Sequence, residues 1–356
     1  MVEAKLTGGR VPAAPMKPVI DPAGWRAADM QASDRWIRQF GPTEIAEIRA
    51  AVAAVERRDT DIVEIRRKDF PLPKTAALLA DVGREVADGV GFIQLRGLPV
   101  DTMTRRQAAI AFFGIGTHFG EALSQNAAGH VLGHVKDLGL DYNDPLVRGY
   151  QTKVAMGFHT DQCDWVGLLC LNTAQSGGES RIVSAITLYN EMLARRPDLV
   201  AELTAAFYWT RHGEVPPGQP PWYRLPIFAF EQGYFSAKGI SSHIMKGLSL
   251  PGVPPLTEKQ KEAFALFRAL ANELALDIPF QQGDLQILNN HVMLHSRRPY
   301  EDWPQPERKR HLLRIWLRSA RVRPVPALVR ENFLGIEVEG FMPVAPLEAE
   351  PDSIAV

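Results

Sequence analysis

The chain has 356 residues, of which 46% are hydrophobic and 23% charged, and its formal net charge is −1. This is ordinary globular composition, and a near-neutral chain lacks the basic footprint of a nucleic-acid-binding protein. Two cysteines, Cys163 and Cys170, make no disulfide framework, and no run of about 18 apolar residues or apolar leader is present. We expect a cytoplasmic protein whose partner is a small molecule, with no nucleic acid and no membrane; assembly as a homo-oligomer is left open.

The first third of the sequence predicts mostly helices. Apolar residues at helical spacing predict one helix that begins at an N-cap at Thr43 and a second helix over 74–88. A strand over 92–97 follows, and Thr104 then opens a capping box at the start of a third, strongly apolar helix.

The remainder is richer in predicted strands. One strand over 150–156 leads into His159, and the nearly all-apolar stretch 165–171 predicts a buried strand. The proline-heavy segment 215–226 predicts an extended loop that forms part of a lid. A hairpin over 227–236 and a helix opened by a capping box at Thr257 come next. The last two predicted elements are strands over 285–288 and 308–317.

His159 and Asp161 are the first candidates for chemistry. Side chains at positions i and i+2 of a strand point to the same face, so this imidazole and carboxylate can bind one divalent metal together. The best candidate for a distant third ligand is His295, with His291 as its competitor. Two histidines and one carboxylate form the facial triad of non-haem Fe(II) oxygenases, which leaves open positions on the metal.

The strand after His295 carries two arginines on one face. By period-two spacing, Arg310 and Arg314 lie on the same side as Leu312 and Trp316. A planar guanidinium in a closed pocket donates two parallel, charge-assisted hydrogen bonds to a carboxylate. The pattern therefore predicts an anion clamp.

The order of these motifs resembles the TauD/TfdA family of Fe(II)- and 2-oxoglutarate-dependent dioxygenases, near the clavaminate-synthase-like enzymes. The motifs are His-x-Asp, a Gly-Gly-Glu-Ser turn over 177–180, a distant His and an Arg after it, and the resemblance covers residues 90–320. It implies a mainly β fold with flanking helices, built on a double-stranded β-helix of the jelly-roll, cupin-like type. It also implies Fe(II), with 2-oxoglutarate and O2 as co-substrates.

The resemblance assigns His159, Asp161 and His295 as metal ligands and catalytic centre, because the family pattern places the distant His after an apolar residue. His291 is then structural. Related halogenases replace the carboxylate by a small residue, so Asp161 favours hydroxylation, with desaturation or ring closure as alternatives. Succinate and CO2 are the other products that the resemblance implies.

The resemblance also places 2-oxoglutarate. Ser180, where the family usually has Thr, and Arg310 are expected to bind its distal carboxylate. Arg314 is expected beside the co-substrate or an anionic substrate group, and an exchange of roles between the two arginines is not contradicted by the sequence.

The resemblance further suggests a single elaborated domain over 23–325, with a helical lead-in over 43–118 and a helical insert over 257–276. Residues 1–22 are expected to be a loose tail. Residues 326–356 are expected to be a C-terminal extension that is packed on the outside or disordered.

A mixture of polar and aromatic residues near the predicted mouth suits a small organic acid or an amino-acid-like substrate. The candidate substrate contacts are Gln151, Asp164, Trp165, Arg211, Tyr223 and Arg314. Two other functions use the same three ligands: a Zn(II) hydrolase with a metal-bound hydroxide, and a catalytically silent metal-binding barrel. The hydrolase gives no reason for Ser180 and Arg310.

Overall fold

The computed structural model describes residues 9–142, 147–321, 323–337 and 340–351. Its helices are α1 Ala27–Gln31, α2 Pro42–Arg57, α3 Ala76–Asp88, α4 Arg105–Gly116, α5 Ala185–Arg195, α6 Pro197–Leu203, α7 Ser242–Leu248, α8 Glu258–Glu273 and α9 Ala327–Glu331. Its strands are β1 Ile37–Gln39, β2 Phe92–Arg96, β3 Gly120–Leu123, β4 Gly133–Val135, β5 Met156–His159, β6 Trp165–Asn172, β7 Ser176–Gly177, β8 Ser180–Ser184, β9 Ala206–Thr210, β10 Trp222–Pro226, β11 Phe228–Glu231, β12 Tyr234–Ala237, β13 Leu276–Ile278, β14 Leu285–Asn289, β15 Met293–Arg297, β16 Tyr300–Glu301 and β17 His311–Ser319.

Two sheets form the centre of the fold. The larger sheet has the strand order β1-β2-β14-β6-β17-β3, with β4 also paired to β17, and the smaller has the order β13-β8-β15-β5. Leu168 and Leu312 of the larger sheet line the same cavity as Ser180 and His295 of the smaller one. The sheets therefore face each other across a shared interior, and the predicted double-stranded β-helix with flanking helices is confirmed.

Strand β17 shows how alternation builds this interior. Leu313, Ile315 and Leu317 pack in a core cluster with residues of α2, α3 and α4. Leu312 and Arg314, which alternate with them, line the cavity between the sheets. Because successive side chains point to opposite faces, the helices cover one face of the strand and leave the other for the site.

Several predicted boundaries need correction. The capping boxes at Thr104 and Thr257 are present, but α2 begins at Pro42, and Gly41 rather than Thr43 is its N-cap. Proline at the first helical position needs no hydrogen-bond partner there. The predicted strand over 150–156 is mostly wrong, because Gly149–Gln151 forms a short 3-10 turn and β5 begins only at Met156.

The proline-heavy segment is also more regular than predicted, since its end, Trp222–Pro226, pairs with Ala206–Thr210 as an antiparallel hairpin. Within the described part of the chain, no helix has the length and apolarity needed to cross a membrane.

The segment before residue 22 is held by charge from Arg10 onward, so the expected loose tail is wrong there. Arg10 is buried and bridges Asp21 and Asp88 at 2.7 and 2.9 Å. At the other end, Val325 and Phe333 are buried in the core cluster that covers the smaller sheet. The C-terminal extension is therefore packed where it is described.

Candidate metal centre and its two cavities

Strand pairing brings the predicted metal ligands together. His159 is the last residue of β5 and lies directly opposite His295 in the register of β15, with ring centroids 4.2 Å apart. Asp161 follows β5, and its Oδ2 is 3.6 Å from Nε2 of His295. One nitrogen or oxygen atom from each of the three residues lies within 4.8 Å of the others. This spacing suits ligands that share one ion.

The protonation states favour cation binding. Burial and the neighbouring His295 lower the pKa of His159 to about 3, so this imidazole is neutral at pH 7. Burial would raise the pKa of Asp161, but Arg314 and the two imidazoles outweigh it and hold that pKa well below its usual range. Nδ1 of His159 lies 2.9 Å from the Gly157 carbonyl, which leaves Nε2 for a metal. Oδ2 of Asp161 is buried without a hydrogen-bond partner among the described residues.

His291, the competing ligand, has a different role. Its Nε2 lies 2.8 Å from Oδ1 of Asp164, and its ring stacks on Phe333 at 5.1 Å. It does not belong to the ligand group that His159, Asp161 and His295 form. The structure therefore places His291 in a supporting contact between the segment after Cys163 and the C-terminal part.

A first cavity, of about 440 Å³, opens from the metal ligands between the two sheets, and we call it the arginine cavity. The residues that define it are Ser180, His295, Arg297, Arg310, Leu312 and Arg314. The guanidinium of Arg310 is 4% exposed, and its Nη2 donates to the Gly178 carbonyl at 3.2 Å. Its Nη1 has no hydrogen-bond partner in the described ranges. A side chain on residue 178 would crowd Arg310, because a Cβ there would lie 2.9 Å from Nε.

Arg297 is a second buried guanidinium in the arginine cavity. Its Nη2 donates to the carbonyls of Thr152 and Val154 at 2.7 and 2.5 Å, whereas Nε and Nη1 have no partner in the part of the chain described. Arg297 and Arg310 both lie over the ring of Tyr300, at 4.9 and 5.1 Å. Burial and the charge of Arg310 lower the pKa of Arg297 to about 10. Neither arginine forms an ion pair with a described carboxylate, so the cavity carries uncompensated positive charge.

Ser180 lines the arginine cavity, but its hydroxyl proton is already donated to another side chain. Its Oγ donates to Oε1 of Gln286 at 2.8 Å, and Gln286 Nε2 donates to Gln94 Oε1 at 3.1 Å. Gln94 Nε2 then donates to the carboxylate of Asp284 at 2.8 Å. Because that carboxylate oxygen accepts, the direction of the whole chain is fixed. In this arrangement the Ser180 hydroxyl proton points to Gln286, and the contact expected between Ser180 and the distal carboxylate of 2-oxoglutarate stays a prediction.

A second cavity, of about 810 Å³, lies on the other side of the metal ligands, and we call it the lysine cavity. The residues that define it are Thr160, His212, Lys238, His243, Arg314 and Trp316. Burial lowers the pKa of Lys238 to about 8. Burial and the charges of Arg148 and Lys246 lower the pKa of His212 to about 3. The lysine cavity is thus polar and positively charged.

Arg314 separates the two cavities and lines both. Its Nε donates to Oε1 of Gln125 at 2.7 Å, and its Nη1 is 3.7 Å from Oδ1 of Asp161. Its guanidinium also lies 4.4 Å from the centre of the Tyr150 ring. These contacts fix the guanidinium beside the candidate metal ligand.

The other predicted substrate contacts do not line either cavity. Gln151 donates to the Glu350 carbonyl at 3.1 Å, and Trp165 is buried against Phe119. Asp164 accepts from the backbone of Ser319 as well as contacting His291. These three assignments are corrected, because backbone and core contacts occupy their side chains.

Arg211 and Tyr223 pack on each other at 5.3 Å, and the Tyr223 hydroxyl accepts from Gln162 at 3.3 Å. Arg211 faces a separate surface cavity with Gln219. Of the six predicted substrate residues, the structure brings Arg314 to the metal ligands.

Two cavity residues escaped the sequence reasoning. Arg297 lies two residues after His295 on β15. Side chains two residues apart in a strand share a face, so this spacing could have predicted that Arg297 lies on the same side as the metal ligand His295. Lys238 follows β12 at a strand end and belongs to no motif.

Comparisons with known proteins agree with this geometry. Residues 56–316 match the family described as taurine catabolism dioxygenase TauD, TfdA family. An FR-33289 synthase from Streptomyces rubellomurinus is 29% identical over 330 residues, which cover 90% of this chain and 96% of the relative. A taurine hydroxylase-like protein from Stachybotrys chartarum is 28% identical over 308 residues, covering 83% of this chain and 78% of that protein.

Solved structures also share the fold. Asparagine oxygenase in complex with Fe(II), 3-hydroxyasparagine and succinate superposes with a TM-score of 0.59 at 17% identity, covering 79% of this chain and 93% of that one. The non-haem iron oxygenase OrfP in complex with Fe, succinate and (3S)-hydroxy-L-arginine gives a TM-score of 0.60 at 11% identity, with coverages of 82% and 99%.

Proposed function

Because the chain belongs to the TauD/TfdA family of Fe(II)- and 2-oxoglutarate-dependent dioxygenases, we propose that it hydroxylates a C–H bond of a small organic acid or amino-acid-like substrate. One atom of O2 enters the substrate, and the other enters the succinate that 2-oxoglutarate yields with release of CO2. We assign His159, Asp161 and His295 as the Fe(II) ligands. Bound Fe(II) supplies the open coordination positions at which 2-oxoglutarate and O2 meet.

The observation that carries the proposal is the arginine cavity beside the ligand group. Arg297 and Arg310 are each at most 5% exposed, and among the described residues no carboxylate pairs with either guanidinium group. A buried charge without a counter-ion is costly, so a ligand with carboxylates stabilises this arrangement. 2-Oxoglutarate has two such groups, and Arg310, with its partnerless Nη1, is the anchor for the distal one.

The protein side chains contribute position rather than bond-making. Arg310 holds one end of the co-substrate, Arg314 is fixed between the cavities by Gln125, and the two sheets flank the arginine cavity. Such positioning brings reacting groups together at high effective concentration. A Zn(II) hydrolase with the same ligands has no use for two buried guanidinium groups that lack a carboxylate partner in the described residues.

The test is 2-oxoglutarate turnover in the absence of any added substrate. Protein supplied with Fe(II), ascorbate and 2-oxoglutarate is exposed to O2, and succinate is measured against the His295→Ala variant. We expect slow succinate formation that requires iron and His295. A panel of organic acids and amino acids is then screened for compounds that accelerate it. Succinate formation no faster than in the variant, with every compound, would contradict the proposed function.

A further inference from the structure

We propose that Lys238 is a specificity residue of the lysine cavity, which binds an organic oxyanion without a free ammonium group. The oxyanion is received between the Lys238 ammonium and the Arg314 guanidinium, beside the metal ligands. This inference rests on the proposed function, because it names the chemical class of the substrate that the lysine cavity accepts.

Lys238 is a buried cation that, within the described part of the chain, is surrounded by aromatic rings. It is 5% exposed, and its Nζ lies 4.9 Å from the centre of the Trp209 ring, 4.8 Å from Phe333 and 5.9 Å from Tyr223. In the described residues, no carboxylate or hydrogen-bond acceptor pairs with this ammonium. Ring faces replace only part of the hydration that a buried ammonium loses. The arrangement therefore leaves Lys238 in need of an anion.

The lysine lies next to the metal ligands. Gly239, its neighbour in the chain, passes so close to β5 that a Cβ there would lie 2.5 Å from Cα of His159. Thr160, between two metal ligands in sequence, has a buried Oγ1 without a partner in the described ranges, and Nε2 of His212 is in the same state. Thr160, His212 and Lys238 all line the lysine cavity. Three partnerless polar groups in one cavity indicate a polar ligand.

The charged groups in the described lining of the lysine cavity disfavour a cationic substrate group. Asp161 is the acidic residue among the described residues that line it, and it is assigned to the metal. Arg148 also lines the cavity, but it is 2.5 Å from Glu214 and is therefore compensated. Lys246 lines the cavity as well, and Lys238 and Arg314 are the cations beside the metal ligands, whereas an amino group would find no counter-charge in the described lining. An amino acid with a free ammonium group is thus a poorer fit than an organic oxyanion.

The experiment is calorimetric titration under nitrogen of protein loaded with Fe(II) and saturating 2-oxoglutarate. The probes are methylphosphonate, methanesulfonate, acetate and methylammonium. We expect the anions to bind and methylammonium not to bind, with the doubly charged methylphosphonate the tightest. Lys238→Met keeps a chain of similar length in the aromatic cage, and it should weaken anion binding about tenfold by removing one charge-assisted contact.

Two further variants keep the test decisive. Lys259→Met neutralises an exposed lysine of α8 that pairs with Glu202, and its anion affinities should equal those of the unmodified protein. Thr160→Val keeps the shape of that residue and should weaken anion binding about threefold, which provides the test if Lys238→Met does not fold. The anion that binds most tightly identifies the substrate's oxyanion as a phosphonate, a sulfonate or a carboxylate. This identification holds if the Lys238→Met substitution weakens the binding of that anion.

Anion binding that is unchanged in Lys238→Met, as expected for a probe that binds only the iron, would overturn the inference. So would preferred binding of methylammonium. Failure of the proposed function gives a different result: no succinate forms, whatever the probes do.

Discussion

The two cavities that meet at the metal ligands are built in different ways. The arginine cavity takes its charged residues from β15 and β17 and from Arg310, which directly precedes β17, so the strands set their positions. The lysine cavity takes Thr160, His212 and Lys238 from segments just after β5, β9 and β12. Binding residues on loops vary without disturbing a rigid scaffold. Under the proposed function, the co-substrate is thus held by residues of the strands, whereas the loops carry the residues that select the substrate.

The positively charged groups of the two cavities also differ in how strictly they fix the geometry of a ligand. A guanidinium presents a rigid fork of donors that matches a carboxylate, whereas an ammonium is a compact point charge. Arg297 and Arg310 therefore suit one fixed ligand, and Lys238 suits an oxyanion of less restricted geometry.

The largest effect is expected from substitutions of the three metal ligands, at which the two cavities meet. His159→Ala, Asp161→Ala or His295→Ala should each abolish turnover and most Fe(II) affinity, because three ligands are needed to hold the metal with open positions. His291→Ala is the matched control, since His291 contacts Asp164 instead. Equilibrium dialysis with Fe(II) and succinate measurement check both. Loss of iron in His291→Ala with retention in His295→Ala would reverse the ligand assignment.

A smaller effect should be confined to the arginine cavity. Arg310→Lys loses the fork geometry and should weaken 2-oxoglutarate binding about tenfold or more while Fe(II) affinity changes little. Arg298→Lys is the matched control, since Arg298 pairs with Asp277 on the surface. Titration of 2-oxoglutarate into iron-loaded protein under nitrogen measures the affinities. Equal losses in the two variants would rule out Arg310 as the anchor.

Ser180→Ala tests the fixed hydrogen-bond chain in the same assay. Because Ser180 donates to Gln286, removal of the hydroxyl should weaken 2-oxoglutarate binding less than Arg310→Lys does. A loss as large as that of Arg310→Lys would show that the hydroxyl turns to the co-substrate when it binds.

The difference between residues set by strands and residues on loops also explains what the sequence allowed us to predict. Period-two spacing placed Arg310, Leu312 and Arg314 on one face and aligned His159 with Asp161, and the structure brings each set together. Arg310 lies just before β17 and Asp161 just after β5, so a strand anchors each set. Regular backbone fixes side-chain direction, so these relations can be read from residue spacing. The family resemblance supported His295 as the third ligand, and the structure supplies the strand pairing that brings it opposite His159.

Features set by tertiary contacts were not predictable in this way. Gln151, Asp164 and Trp165 have the polarity or size of substrate contacts, but backbone and core partners far along the chain occupy them. Lys238 was missed for the converse reason. Its cage combines Trp209, Tyr223 and Phe333 from three distant segments, and no local pattern marks such a convergence.

Arg314 lies between the cavities, so its loss should affect how they work together. Arg314→Ala should change 2-oxoglutarate affinity less than Arg310→Lys, but should uncouple 2-oxoglutarate consumption from substrate oxidation several-fold. The reason is that Arg314 lines the lysine cavity while also lying 3.7 Å from Asp161. The ratio of succinate to oxidised product, with a substrate found in the screen, measures the coupling. Loss of 2-oxoglutarate affinity in Arg314→Ala together with normal affinity in Arg310→Lys would exchange the two roles.

The smallest expected effect concerns a histidine pair next to Arg310, outside both cavities. His134 Nδ1 lies 2.7 Å from Nε2 of His311, and His134 Nε2 lies 2.9 Å from the Pro346 carbonyl, so the pair fastens the C-terminal segment to β4 and β17. Burial lowers the pKa of His134 to about 4, and burial and His134 lower that of His311 to about 2. Both imidazoles are therefore neutral in the folded protein at pH 5, where histidines of the unfolded chain are protonated.

Since the unfolded state binds more protons between about pH 4 and pH 6.5, stability rises with pH across this window and is lost on acidification. One such histidine contributes about 1–2 kcal/mol of that loss between pH 7 and pH 5. His134→Gln keeps polar groups at the site but cannot titrate, so its melting temperature should fall less between these two pH values than that of the unmodified protein. The readout is this difference in pH dependence, measured on metal-free protein, and not the absolute melting temperature, which the altered hydrogen bonds also change.

Turnover of the His134→Gln variant at pH 7 should be unaffected, because the histidine pair lines neither the arginine cavity nor the lysine cavity. A variant that loses as much stability as the unmodified protein on acidification would mean that His134 is not kept neutral by burial.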